Sequence, residues 1–134
     1  MKLSSTSPAA ARQQQIERLR RERTAANSIR SAFPRVQQLR LELQFDGRDE
    51  TTPAAQVFVL YPPARAYFEF PCPYTNCDGH FNLAAEVDAA VSGQVHKVEG
   101  LLECCGERAR LRVAQQACKL QLNYTVTAEV RQAG

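Results

Sequence analysis

The sequence predicts an α+β domain, with an N-terminal helix, an antiparallel sheet of about five strands and a short helix inserted between strands. Helix-forming residues fill the segment AAARQQQIERLRRERTAANSIRSAF near the N-terminus. Near the C-terminus, apolar and polar residues alternate from Cys118 to Val130, which is typical of a strand with one buried face and one solvent-exposed face. The chain has 134 residues, enough for one domain with a modest core.

The first helix is predicted to begin at Pro8, with Ser7 as its N-cap, and to end before Pro34. Nine Lys or Arg and two Glu give residues 1–40 a net charge of +7, which leaves −4 for the rest of a chain whose net charge is +3. This asymmetry predicts a basic helical arm over residues 1–34 and an α+β body over residues 35–134. The sequence does not decide whether the arm packs on the body, but the body has strands of its own, so we expect residues 1–32 to be dispensable for folding.

Alternation of apolar and polar residues, together with turn residues, predicts the remaining elements. The alternation Leu39–Phe45 predicts the first strand, and a stretch with Leu83, Val87 and Val91 four apart predicts the inserted helix. The other strands are predicted at 56–61, 65–70, 96–104 and 118–130, and the inserted helix at 81–91.

Five cysteines group at the ends of predicted strands. The N-terminus lacks the apolar stretch of a secretory signal, which indicates the cytoplasm, where thiols stay reduced. Four thiolates on facing turns provide the tetrahedral shell of one structural Zn²⁺. The predicted ligands are Cys72, Cys77, Cys104 and Cys118.

Two alternatives to this ligand set remain open at the level of sequence. Cys105 could replace Cys104, although Cys104 repeats the Cys-x-Gly pattern of Cys77 and Gly79. His80, three residues after Cys77, is a further candidate for the fourth ligand.

The motifs C-P-Y-T-N-C-D-G, C-C-G and the cysteine that opens the long alternating strand resemble the zinc-ribbon class, in which two cysteine-bearing turns hold one metal. The resemblance covers roughly residues 68–126. Four residues separate the first pair of cysteines and thirteen separate Cys104 from Cys118, whereas two residues usually separate the paired cysteines of a ribbon. The resemblance implies a structural metal and a binding role towards protein or nucleic acid.

No catalytic signature accompanies the cysteines. The chain has two histidines, no Cys-x-x-Cys pair and no glycine-rich phosphate loop, so we expect it not to be an enzyme and to take no small-molecule substrate. No apolar run is long enough for a membrane span.

The expected function is that of a small protein-binding adaptor whose fold is stabilised by zinc. The alternative is an RNA-binding or other nucleic-acid-binding protein, part of an RNA-containing complex, that contacts phosphates through clustered arginines. The candidate partner-binding residues are Arg18, Arg20, Arg21 and Arg23 on the first helix and Arg108, Arg110 and Arg112 in the segment before Cys118.

Overall fold

The computed structural model describes residues 8–46, 55–74, 76–110 and 113–131. The helices are α1 Pro8–Ala25, α2 Ile29–Ala32 and α3 Ala84–Ser92. The strands are β1 Val36–Asp46, β2 Gln56–Leu60, β3 Glu69–Pro71, β4 His80–Asn82, β5 Lys97–Glu103, β6 Glu107–Arg110, β7 Val113–Ala117 and β8 Gln121–Val130. The predicted α+β class, with an N-terminal helix, an antiparallel sheet and a short inserted helix, is confirmed.

The main sheet has four strands in the order β2-β1-β8-β5, and every neighbouring pair is antiparallel. Strands β1 and β8 form its centre, with Leu41 opposite Val126 and Phe45 opposite Leu122. Their alternating apolar side chains are buried on one face, where α3 packs against β8 and β5. Apolar and polar residues therefore alternate in β1 and β8 because one face of the sheet lies in the core, as the sequence predicts.

Two further antiparallel pairs lie outside this sheet, β3 with β4 and β6 with β7. The strand predicted over 65–70 is shorter than expected and belongs to the first of these pairs rather than to the main sheet. Aromatic contacts join this small hairpin to the core: the rings of Phe45 and Phe81 are 5.9 Å apart, and those of Phe58 and Phe70 stack at 5.0 Å. The hairpin therefore shares the hydrophobic core of the main sheet.

The predicted N-terminal helix is divided into two. α1 ends at Ala25, and Ser28 has an extended backbone and caps α2 by accepting a hydrogen bond from the N–H of Ser31. Between the two helices, the carbonyl of Asn27 accepts a hydrogen bond from the N–H of Ala66. This contact with the body explains the break, since a continuous helix would use that carbonyl internally.

Both helices contribute side chains to the core. Leu19 of α1 and Ile29 of α2 are buried, and Ile29 has no exposed surface. The N–H of Ile29 also donates to the carbonyl of Ala64 at 2.8 Å. These contacts argue against the expectation that residues 1–32 are dispensable for folding.

Two other boundaries differ from the predictions. The inserted helix begins at Ala84 rather than Phe81, because Phe81 and Asn82 belong to β4 and pair with β3. The last strand begins at Gln121, because Lys119 has a left-handed backbone, with φ of 56°, and separates Cys118 from the strand. Among the described residues, no helix combines the length and hydrophobicity that crossing a membrane requires.

Candidate metal centre

Four cysteine side chains meet where the β3–β4 turn faces the connections that follow β5 and β7. The Sγ atoms of Cys72, Cys77, Cys104 and Cys118 all lie within 4.8 Å of one another. Cys72, Cys77 and Cys104 are buried and Cys118 is half-buried. Four sulfur atoms this close form a group that could hold a metal ion.

The spacing of the sulfur atoms fits a tetrahedral metal site. The Sγ atoms of Cys72 and Cys118 are 3.8 Å apart, and those of Cys77 and Cys104 are 3.7 Å apart. A zinc–sulfur bond length of ~2.3 Å places the corners of a regular tetrahedron about 3.8 Å apart. These two sulfur pairs are therefore already at the separation that zinc requires.

The backbone around the sulfur atoms is built from two similar halves. In each half, the amide of a glycine donates to the Sγ of the cysteine two residues earlier: Gly79 to Cys77 at 3.3 Å and Gly106 to Cys104 at 3.4 Å. The carbonyl of the same glycine accepts a hydrogen bond from the backbone N–H of the remaining cysteine: Cys72 donates to Gly79 and Cys118 donates to Gly106, both at 2.9 Å. N–H donors to the sulfur atoms stabilise thiolate charge, which suits a metal ligand.

The two Cys-x-Gly turns are in direct contact. A Cβ atom added to Gly79 would overlap the Sγ of Cys104, and one added to Gly106 would overlap the backbone of Gly79. Asp78 joins the same turns, since its carboxylate accepts from the N–H of Glu107 at 2.8 Å. Glycine is therefore required here by close approach, because no side chain fits between the two turns.

The thiols shift one another's acidity. Hydrogen bonds from Cys104 and then Cys72 hold the pKa of the Cys77 thiol well below its ordinary value. Hydrogen bonds with Cys72 and Cys77, followed by burial, raise the pKa of Cys104, and burial raises the pKa of Cys118. Several thiolates this close repel one another, so four thiolates together need the positive charge of a cation.

The two alternative ligands lie outside this cluster. The side chain of Cys105 is exposed. The ring of His80 is held elsewhere, with Nε2 3.1 Å from a carboxylate oxygen of Glu69 and Nδ1 2.6 Å from the amide nitrogen of Gln15. Gln15 lies on α1, so His80 fastens this helix to the hairpin rather than joining the sulfur atoms.

Helix α1 also reaches the cysteine turns directly. The guanidinium of Arg12 donates to the carbonyls of Cys72 at 2.6 Å and Cys77 at 3.2 Å. Gln15 donates to the carbonyl of Asp78 at 3.3 Å. The sequence analysis did not single out Arg12 or Gln15, because a contact across 60 or more residues leaves no local pattern.

The predicted partner-binding arginines differ in their surroundings. Arg18 pairs with Glu22 at 2.8 Å, and the guanidinium of Arg23 lies over the ring of Tyr67, 5.5 Å from its centre. The side chains of Arg20 and Arg21 are exposed. Arg112 lies outside the described residues, and the side chains of Arg108 and Arg110 are not described either.

Comparison with family models, curated proteins and solved structures gives no match to this chain. The resemblance to the zinc-ribbon class therefore rests on the cysteine cluster, which is compatible with a site of that kind.

The adjacent thiols Cys104 and Cys105 provide a matched pair of substitutions. We expect Cys104→Ser to weaken metal binding by more than about 100-fold, because it removes one of four sulfur ligands. Cys105→Ser should change binding by about twofold or less, as for most exposed substitutions. Competition with a chromophoric chelator measures both variants, and a larger loss in Cys105→Ser would show that the ligand position is off by one residue.

Proposed function

We propose that the protein is a small, non-enzymatic interaction module of the cytoplasm, in which one structural Zn²⁺ staples the fold and the surface binds another protein. The observation that carries this proposal is the set of four cysteine sulfur atoms that lie within 4.8 Å of one another, with two of the pairs at the 3.7–3.8 Å of a tetrahedral zinc site. A catalytic zinc usually keeps three protein ligands and an open position for water or substrate. Four thiolates leave no such position, which favours a structural role.

Protein binding is favoured by the distribution of exposed apolar side chains. Among the described residues, five large apolar side chains are exposed, and three of them (Val57, Val59 and Tyr61) lie on β2 or directly after it. Such clustering on one edge of a sheet is typical of an interaction surface.

Nucleic-acid binding is the second candidate, and the exposed pair Arg20 and Arg21 is the observation in its favour. Two observations weaken it. Arg18 and Arg23 already have partners within the domain. The open face of the main sheet carries acidic side chains next to its basic ones, as in the pair Lys97 and Glu99 at 3.1 Å, and phosphates would be repelled there.

Salt dependence separates the two candidates. We expect a protein partner captured by the metal-loaded chain to stay bound after nuclease treatment and in about 0.5 M salt, where exposed charges are strongly screened. The double variant Arg20→Gln, Arg21→Gln should capture the same partner, and a tagged form of the partner should capture the chain in return. Binding that nuclease abolishes, or that falls steeply with salt and is lost in the double variant, would contradict the adaptor proposal and support the RNA alternative.

A further inference from the structure

Among the residues that the structure describes, strand β2 is an unpaired edge of the main sheet. Its one described neighbour in the sheet is β1, so alternate backbone N–H and C=O groups point away from the sheet. The segment from Gln56 to Tyr61 contains no charged residue. Exposed fractions of 51% for Val57 and 37% for Val59 place apolar side chains along the open face of this edge.

The opposite edge of the sheet, β5, is protected in the usual manner. Its outward side chains include Lys97, Glu99 and Glu103, and charges at an edge discourage the addition of another strand. The two edges of one sheet therefore differ, and the unprotected one is β2.

An apolar groove runs along the core side of β2. Its volume is about 280 Å³, and Phe58 and Leu60 of β2 form one wall. The remaining lining residues are Arg23, Ala64, Arg65, Tyr67 and Phe70. Because residues opposite each other on paired strands share a face, a strand added to β2 would direct alternate side chains into this groove.

Two arginines line the groove, and the carboxylates of Glu22 and Glu69, which accept hydrogen bonds from Tyr67 there, are paired with Arg18. The guanidinium of Arg65 donates to the carbonyl of Ala26 at 3.0 Å, and that of Arg23 donates to the carbonyl of Glu69 at 3.4 Å while covering Tyr67. In the part of the chain that the structure describes, no carboxylate forms a salt bridge with either arginine. Each guanidinium keeps further N–H donors for an anionic group.

We infer that the edge of β2 and this groove together bind an extended acidic segment of a partner protein, an inference that rests on the proposed adaptor function. The segment adds a strand to β2 through main-chain hydrogen bonds. It places an apolar side chain in the groove, against Phe58, Tyr67 and Phe70. An Asp or Glu of the same segment, on the same face, pairs with Arg65 or Arg23. This is strand addition, in which the backbone supplies affinity and alternate pockets supply specificity.

The test begins with a displayed library of random peptides of about eight residues, long enough to run along a typical strand. The library is selected on the metal-loaded full-length chain, and the best peptide is synthesised with a fluorophore for titration by anisotropy. Selected peptides should combine alternating apolar residues with Asp or Glu. Val57→Lys, which places a charge at the edge, and Arg65→Glu should each weaken binding by about tenfold or more.

The chain offers matched controls for both substitutions. Leu101 on β5 is 54% exposed, close to the 51% of Val57, so Leu101→Lys places the same charge on the opposite edge. It should change binding by about twofold or less, as should Arg20→Glu on α1. A peptide whose acidic residue is replaced by Lys should recover binding to Arg65→Glu, which excludes a folding defect as the cause of the loss.

Three results would overturn the inference. The first is a library that yields no binding peptide, and the second is a peptide that binds Val57→Lys as well as the unaltered chain. The third is a chain that self-associates through β2, with Val57→Lys monomeric in sedimentation, since the edge would then belong to a second copy. Capture of the same partner protein by Val57→Lys would leave the adaptor function standing and place its contact on another surface.

Discussion

Removal of the proposed Zn²⁺ should lower the melting temperature of this protein by roughly 15 °C or more. Structural zinc contributes about 10–16 kcal/mol in small zinc-binding peptides, whereas a whole domain is stable by about 5–15 kcal/mol. A loss of even ~5 kcal/mol shifts the midpoint by roughly 15 °C in a domain of this size. Differential scanning calorimetry before and after treatment with a strong chelator, together with metal analysis for a one-to-one ratio, measures the effect.

The structure indicates why the loss of stability should affect the whole domain and not the cysteine turns alone. The four sulfur atoms come from the β3–β4 turn and from the segments after β5 and β7, which contribute to one hydrophobic core, so a metal bound to them would join these segments. Restoring Zn²⁺ should restore the original midpoint, and Mg²⁺, which prefers oxygen ligands, serves as the control ion. A melting curve that is the same with and without metal would contradict a structural role.

Local patterns predict the elements with strong periodicity and fail where long-range contacts decide. The alternation in β1 and β8 locates both strands within a few residues, since one face of each must enter the core. The same pattern does not reveal that β3 leaves the main sheet, because strand pairing depends on partners distant in sequence. Similarly, helix propensity runs through Asn27 and Ser28, and the contact of Asn27 with Ala66 ends the helix instead.

The cysteine ligands can likewise be predicted from local sequence, whereas the residues that support them cannot. Spacing and the repeated Cys-x-Gly pattern single out the four cysteines that the structure brings together, with Cys104 rather than Cys105 among them. The support around the cluster, from Arg12 and Gln15 on α1, has no counterpart in local sequence. The basic character of α1 predicts phosphate binding, whereas three of its arginines, Arg12, Arg18 and Arg23, contact the domain itself.

Deletion of residues 1–32 should therefore destabilise the domain strongly and weaken its metal site, contrary to what the sequence suggests for a detached arm. The deletion removes the buried side chains of Leu19 and Ile29 and the hydrogen bonds from Arg12 to the carbonyls of Cys72 and Cys77. Truncation of one fully buried Ile or Leu to Ala alone costs about 2–5 kcal/mol. The total loss is comparable to the stability of a whole domain, so the shortened chain should be largely unfolded or aggregated at 25 °C.

Point substitutions make this prediction measurable when the shortened chain cannot be purified. In urea unfolding of the full chain, we expect Ile29→Ala to lower the free energy of unfolding by about 2–5 kcal/mol, because Ile29 has no exposed surface and its cavity cannot be filled by solvent. Arg12→Gln should raise the rate at which a chelator extracts the metal, since it loosens the carbonyls next to two cysteines. Arg20→Gln, an exposed substitution on the same helix, should leave both quantities nearly unchanged. A chain of residues 33–134 that keeps one metal ion and melts at the temperature of the full chain would show instead that α1 and α2 are an appendage, and their arginines would again be candidates for the partner surface.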